Sequence, residues 1–337
     1  MTKSRPTIET VAARAGVGRG TASRVVNGSS QVSPAARAAV LKAIDELGYV
    51  PNRAARNLVT RRTDCVALVI SEPGERLFTE PYFAGIVRGI SSAMAQTQLQ
   101  LWLSMVQSSA ERDRAGRFLS REHVDGVLML SQHADDPLPA QVRANGLPLV
   151  LCGQPLGGAD DRPEVRDIPF VDADNATGGR QAAQYLLDRG RRRIASIAGP
   201  QDMSAGVARL QGFRQVAGDE LVEYGDFSEE SGAKAMAALL DRAPELDAVF
   251  AASDPMAFGA MRVLKAAGRR IPEDVAVIGF DGSPGGRHSD PPLTSVFQPT
   301  EEMGREMTRL LLAQLAGDQP AEPQVIVETR LELRGSA

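Results

Sequence analysis

Two groups of residues have types and spacing that could do chemistry. In Arg19-Gly20-Thr21-Ala22-Ser23-Arg24, two arginines carry planar guanidinium forks that match the O6 and N7 acceptors of guanine. Thr21, Ser23 and Asn27 are short groups of the size that reaches phosphate oxygens, whereas Gly20 offers a base no side chain. The second group lies where apolar runs stop: Ser71-Glu72-Pro73, Gly153-Gln154-Pro155, Ala198-Gly199-Pro200, Ser253-Asp254-Pro255 and Phe280-Asp281-Gly282. Polar and turn residues converging from several strand ends make a binding cleft. Redox, metal and acyl-transfer chemistry find no comparable support. Cys65 and Cys152 stand outside any Cys-x-x-Cys pattern and read as small buried apolar residues. His123, His133 and His288 show neither zinc-ligand spacing nor a neighbouring nucleophile, and read as surface or loop residues. Gly16-x-Gly18-x-Gly20 lacks a preceding strand, and Thr21 replaces the third glycine of a dinucleotide fingerprint. No cofactor, metal or catalytic residue is expected, and the chain does not read as an enzyme.

Charge separates the two groups. The net charge is -4 over 337 residues, yet residues 1–63 hold 11 Lys+Arg against 3 Asp+Glu while the remainder holds 27 against 39. A cationic head suits neutralisation of phosphates, on a body that the same polyanion would repel. No apolar run follows Lys3 and Arg5, and none elsewhere has the length of a membrane span, so a cytoplasmic, nucleoid-associated protein without membrane contact is expected.

The elements that must position the first group are short helices. Thr7 can cap a helix with Ile8, Val11, Ala12 and Ala15 on one face, ended by Gly16. A second helix is expected from Arg19 to Val26, closed by Asn27-Gly28, and a third from Ser33-Pro34 to Leu47, stopped by Gly48. Two helices joined at Gly16-Val17-Gly18 form a helix-turn-helix, whose second helix fits a DNA major groove. Asn52 can cap a further stretch, Arg53 to Leu58, too short to be helical alone in water. There Ala54 and Ala55 would let a symmetry mate approach, and Leu58 offers a wedge for the minor groove.

From Val66 onwards apolar strands alternate with helical segments, the pattern of parallel α/β sheets. Strands are expected near 66–70, 99–106, 127–130, 149–151, 194–198, 249–252 and 275–280. Helices are expected near 83–94, 110–119, 176–187, 204–216, 231–240, 255–267 and 301–315. So many units imply two doubly wound lobes with a ligand beyond the carboxyl ends of their strands. Trp102 interrupts the alternation of Leu99, Leu101, Leu103 and Met105, and is expected in the core beneath a helix.

The head resembles the lactose-repressor family through Val11-Ala12, Ala15-Gly16-Val17, Thr21 to Gly28, Val32-Ser33, Leu47-Gly48-Tyr49 and Pro51-Asn52. That resemblance implies base reading by Arg19, Gly20 and Arg24, and phosphate contacts by Thr21, Ser23, Asn27, Ser33 and Tyr49. Thr7 joins the expected DNA contacts, as do Asn52, Ala55 and Leu58 in paired hinge helices at the operator centre. Gly18 stands where the family usually has a serine cap, so the reading helix is expected to start less firmly. The body resembles the same family through Ile197 to Pro200, Arg209 to Arg214, Ala252-Ser253-Asp254 and Pro291 to Val296. It implies that Arg209 and Asp281 hold effector hydroxyls, that Ser253 and Asp254 line a floor, and that Phe227 stacks on the ligand. Glu72 and Tyr82 complete the expected effector set.

The architecture so implied is multi-domain. An all-α helix-turn-helix head (1–50) and a hinge helix with linker (51–63) precede an α/β, two-lobed, periplasmic-binding-protein-like effector and dimerisation domain (64–337). Its amino-terminal lobe is expected at about 64–168 and 298–323, and its carboxyl-terminal lobe at about 169–297 and 324–337. Donors and acceptors beside an aromatic plate suit a sugar, and Asp281 and Glu72 would repel an anion. A finer resemblance, to actinobacterial regulators of cellulose and β-glucoside use, rests on Gly18 to Thr21, Val59 to Thr63, Val124 to Val127 and Gly199 to Met203. It implies a repressor of carbohydrate-utilisation genes, released from a palindromic operator by a cello-oligosaccharide such as cellobiose; another sugar or a nucleoside is the alternative effector. Gln215 to Leu221 is shorter than its family counterpart, so one cleft wall is expected to differ. A homodimer is expected, since paired reading helices double the bases read on a palindrome. No leucine heptad tail for a tetramer follows Leu331 to Arg334. The transporter-type sugar-binding protein shares the two-lobed plan but has no use for the basic head and carries an export signal, which is not expected here.

Overall fold

In the computed structural model, which describes residues 6–26, 29, 31–50, 62–156, 165, 167–319 and 321–337, Thr7 starts the first helix by reciprocal capping. Its Oγ1 accepts the Thr10 N–H at 3.4 Å while Thr10 Oγ1 accepts the Thr7 N–H at 2.9 Å. Helix α1 (Ile8–Ala15) ends at Gly16, whose φ of 67° is the left-handed conformation that a residue without Cβ adopts freely. Helix α2 (Arg19–Val26) follows the turn, and α3 (Pro34–Leu47) is capped by Ser33, which accepts the Ala36 N–H at 3.3 Å. Val11, Ala12, Ala22, Val25, Val40 and Ala43 make one buried cluster, with Ile8, Val17, Leu47 and Tyr49 at its margin. Asn27 and the hinge residues Asn52, Ala55 and Leu58 lie outside the described residues.

The chain divides into two compact units, Met1–Thr63 and Asp64–Ala337. The second unit contains two sheets. The first comprises β1 (Cys65–Ile70), β2 (Gln100–Met105), β3 (Gly126–Leu130), β4 (Leu149–Cys152), β5 (Phe170–Ala173) and, returning late, β11 (Gln324–Val327), in the order β11-β5-β4-β3-β1-β2. The second comprises β6 (Ile194–Ala198), β7 (Val222–Tyr224), β8 (Ala248–Ala251), β9 (Ala276–Asp281), β10 (Thr294–Phe297) and β12 (Arg330–Glu332), in the order β12-β10-β9-β8-β6-β7. All pairings are parallel except β10 with β12. Between the strands run α4 (Gly74–Thr79), α5 (Pro81–Met94), α6 (Ser109–Phe118), α7 (Leu138–Ala144), α8 (Asn175–Asp188), α9 (Ser204–Ala217), α10 (Glu229–Arg242), α11 (Asp254–Ala266) and α12 (Thr300–Ala316). Each sheet buries both faces under helices, which is why its central strands read as unbroken apolar runs.

The chain passes between sheets after β5, after β10 and between β11 and β12. Phe170–Ala173 and Gln324–Val327 therefore belong to the first sheet, which corrects the expected lobe limits at 168/169 and 323/324 by the length of one short strand each. Both strands complete a parallel ladder whose hydrogen bonds their local sequence does not announce. Trp102 is also corrected. Strand β2 is the edge of its sheet and none of its residues is buried; Trp102 is 46% exposed and stacks on Phe118 at 5.6 Å, which in turn stacks on His123 at 4.4 Å.

Candidate functional site

On the head, the small core holds α2 with its expected reading residues outward. Arg19, Gly20 and Arg24 are exposed, while Ala22 and Val25 are buried on the opposite face. Arg19 Nε lies 2.9 Å from Glu9 Oε1, a solvent-screened pair that a stronger anion can displace. Thr21 and Ser23 are half-buried beside them. Thr7 and Ser33 spend their hydroxyls on helix caps, and Tyr49 packs against the core margin.

In the body, strand ends of both sheets line a cavity that is partly open to solvent. Three of its lining residues, Ser131, Phe227 and Asp281, have positive φ (58°, 71° and 110°) without being glycine. Such conformations persist only where surrounding structure imposes them, as at ligand clamps.

Arg209 is the pivot. Helices α8 and α9 cross so closely that a Cβ on Gly179 would overlap the Arg209 carbonyl and one on Gly212 the Ala176 carbonyl. With the backbone so fixed, Arg209 Nε donates to Asn175 Oδ1 at 2.8 Å and Nη1 donates to the Ala252 carbonyl at 2.6 Å. Its guanidinium lies 3.6 Å from the Phe280 ring centroid and 5.6 Å from that of Phe227, with Nη1 3.6 Å from Asp281 Oδ1. Burial outweighs the Arg209 charge and pushes the Asp281 carboxyl well above the ordinary carboxylate range, with the nearby Asp254 charge adding to the rise. Gln298 Nε2 donates to Asp281 Oδ1 at 2.7 Å.

The expected effector set divides. Glu72, Tyr82, Arg209, Phe227, Ser253 and Asp281 all line the cavity. Asp254 does not: it is fully buried behind the wall, where its carboxylate accepts the Ser283 N–H at 2.6 Å and the Ser295 hydroxyl. It braces the strand end instead of presenting a group to a ligand. Ser253 lines the wall, but its Oγ donates to the Phe227 carbonyl at 3.0 Å and accepts the Met256 N–H at 3.3 Å, so it caps α11 and sets the Phe227 backbone. Gln215 to Leu221 is absent from the lining, because it joins α9 to the amino end of β7, away from the strand ends that face the cleft. The expected change in a cleft wall is corrected accordingly.

Several lining residues escaped the sequence reading. Arg76, within α4, bridges Glu72 before the helix at 2.6 Å and grips Glu80 at its end at 2.6 and 3.1 Å; the i,i+4 spacing of opposite charges is the signal in the sequence. Burial raises the Glu72 carboxyl despite Arg76. Asp172, at the end of β5, accepts the Gln154 N–H at 3.0 Å, the Ala173 N–H at 2.8 Å and Asn175 Nδ2 at 2.9 Å, and burial raises its carboxyl too. Tyr82 Oη and Cys152 Sγ meet at 3.4 Å in a dry corner; burial pushes the thiol up to about 12 and the phenol well above its usual value. Gln132 lines the cavity with its buried Nε2 lacking a hydrogen-bond partner among the described residues.

The fold and the two sites define a class: a helix-turn-helix DNA reader joined to a two-lobed small-molecule receptor. The profile described as "Bacterial regulatory proteins, lacI family" matches residues 7–52, and that described as "Periplasmic binding protein-like domain" matches residues 183–337. The chain is 56% identical over 341 residues to the HTH-type transcriptional regulator CelR of Thermobifida fusca, covering 99% of both chains. A solved transcriptional regulator CelR–cellobiose complex superposes with a TM-score of 0.78 at 54% identity, covering 99% of this chain and 100% of that one. The lac repressor dimer bound to operator and the anti-inducer ONPF superposes with a TM-score of 0.84 at 27% identity, covering 99% of both. The chain belongs to the lacI family of bacterial regulatory proteins and is a DNA-binding transcription regulator. No described helix is long and apolar enough to cross a membrane.

Proposed function

We propose that the chain is a homodimeric repressor of carbohydrate-utilisation genes, released from a palindromic operator when cellobiose or a related β-glucoside fills the body cavity. The observation that carries the ligand class is the composition of the lining. Fixed acceptors (Glu72, Asp172, Asp281) and fixed donors (Arg76, Arg209, Gln132) surround the Phe227 ring, which supplies the apolar plate a pyranose face needs. Carboxylates outnumber guanidinium groups there, which disfavours phosphorylated or carboxylated ligands. The CelR–cellobiose complex supports the particular sugar. On the head, exposed Arg19 and Arg24 support guanine-containing half-sites. Release follows by linkage: a ligand that stabilises one body arrangement weakens any DNA-bound state requiring another, and the reverse holds equally. Calorimetry against mono- and disaccharides, followed by fluorescence anisotropy on a palindromic duplex, tests the proposal. Cellobiose should bind and lower operator affinity; binding without any change in operator affinity would contradict it.

A further inference from the structure

The loop after β3 bonds the two lobes to each other away from the chain crossovers, where the Asp172–Asn175 and Gln298–Asp281 bonds lie. His133 Nδ1 lies 2.7 Å from Asp202 Oδ2, and the Ala134 N–H donates to the Asp202 carbonyl at 2.8 Å. His133 and Ala134 follow a strand of the first sheet, while Asp202 follows β6 of the second. The three chain crossovers leave from β5, β10 and β11. In the first sheet β4 separates β3 from β5, and in the second β8 and β9 separate β6 from β10. The bonds therefore lie apart from the crossovers and join parts of the two lobes that opening the cleft would pull away from each other. Both neighbours in sequence, Gln132 and Met203, line the cavity, and Gln132 carries the buried Nε2 that has no partner among the described residues. A buried amide donor without a partner is destabilising, and a ligand acceptor would relieve it.

We propose that residues 131–134 form a ligand-reading latch. Gln132 Nε2 donates to an acceptor oxygen of the bound saccharide, and this fixes the loop so that His133 and Ala134 engage Asp202 and hold the lobes closed. Ligand reading and lobe closure thus reside in consecutive residues, so the ligand biases the open and closed populations by the contact it makes in the closed state alone. The ligand class rests on the saccharide reading above; the lobe-to-lobe bonds do not.

The test uses the full chain with cellobiose as probe. His133→Ala and Asp202→Ala should each raise the dissociation rate roughly two- to fivefold, the worth of one partly exposed pair, with the association rate unchanged. The double variant should do no more than either single one, and His133→Gln, which keeps a donor, should restore much of the loss. Gln132→Ala should weaken equilibrium binding roughly two- to tenfold. Independently of any sugar, amide exchange at Ala134 in the ligand-free chain should speed up in His133→Ala. Wild-type dissociation and exchange rates in both His133→Ala and Asp202→Ala, or additive effects in the double variant, would overturn the latch. Should cellobiose fail to bind the wild type while Ala134 exchange still responds, the saccharide reading would fall and the closing bonds would stand.

Discussion

The head and the body place functional residues in opposite relations to their cores. In the head, Ala22 and Val25 hold α2 down while Arg19 and Arg24 stand in solvent, so the residues expected to read DNA are not those that fold. In the body, Arg209 and Asp281 are at once the candidate ligand contacts and the groups that satisfy one another's buried charge. A reader of a rigid external polymer can hold its side chains free, whereas a receptor that encloses its ligand must bury polar groups and pair them before the ligand arrives. Function and stability should therefore separate in the head and coincide in the body.

The largest expected effect lies at Arg209. Arg209→Ala leaves Asp281 without its cationic partner and removes the plane packed on Phe280, so the body should lose about 3–5 kcal/mol and all measurable saccharide binding. A thermal unfolding curve superposable on wild type would break the comparison. Gly212→Ala tests the packing that positions Arg209. Its Cβ meets the Ala176 carbonyl, a backbone atom that cannot swing aside, so a loss of about 1–3 kcal/mol is expected in a denaturant titration together with weaker ligand binding. Arg24→Ala should do the reverse. Operator affinity should fall by about 1–3 kcal/mol in an anisotropy titration while the denaturation midpoint stays put, since nothing folded leans on an exposed guanidinium.

The smallest effect is a pH slope. Burial holds the Asp281 carboxyl above its unfolded value despite Arg209, so ionising it costs more in the folded than in the unfolded chain, and its contribution to stability is complete below the unfolded pKa. That contribution is lost as pH rises through the folded value. Asp281→Asn cannot ionise and should flatten this part of the stability curve on the alkaline side of the ordinary carboxylate range. Parallel curves of melting temperature against pH for variant and wild type would remove Asp281 from the account.

The same contrast explains how much the sequence disclosed. The head was legible to its caps, because Thr7, Gly16, Ser33 and Gly48 act on residues within a turn of themselves. The body's longer strands and helices were legible for a similar reason: their runs of Val, Leu and Ala declare burial. Strands β5, β7, β10, β11 and β12 were not, being three or four residues long and defined by neighbours far off in sequence. With β5 unread, Asp172 at its end and Asn175 just beyond it went unnoticed, although both touch the Arg209 network. Asp254 misled for a related reason. Its place after a strand is the same as that of a lining residue, and only the fold shows its carboxylate turned to Ser283 and Ser295. Trp102 failed because an alternating pattern does not reveal that its strand is an edge.

The central claim is that filling the body cavity controls how firmly the head holds DNA. Fluorescence anisotropy of a labelled palindromic duplex, titrated with the full chain in the absence and presence of saturating cellobiose at fixed salt, measures it directly. The account predicts tight binding without sugar, a marked fall in affinity with it, and no response to sugar in Arg209→Ala protein shown to be folded. Equal affinities with and without sugar, from protein that calorimetry shows to be saturated, would contradict it.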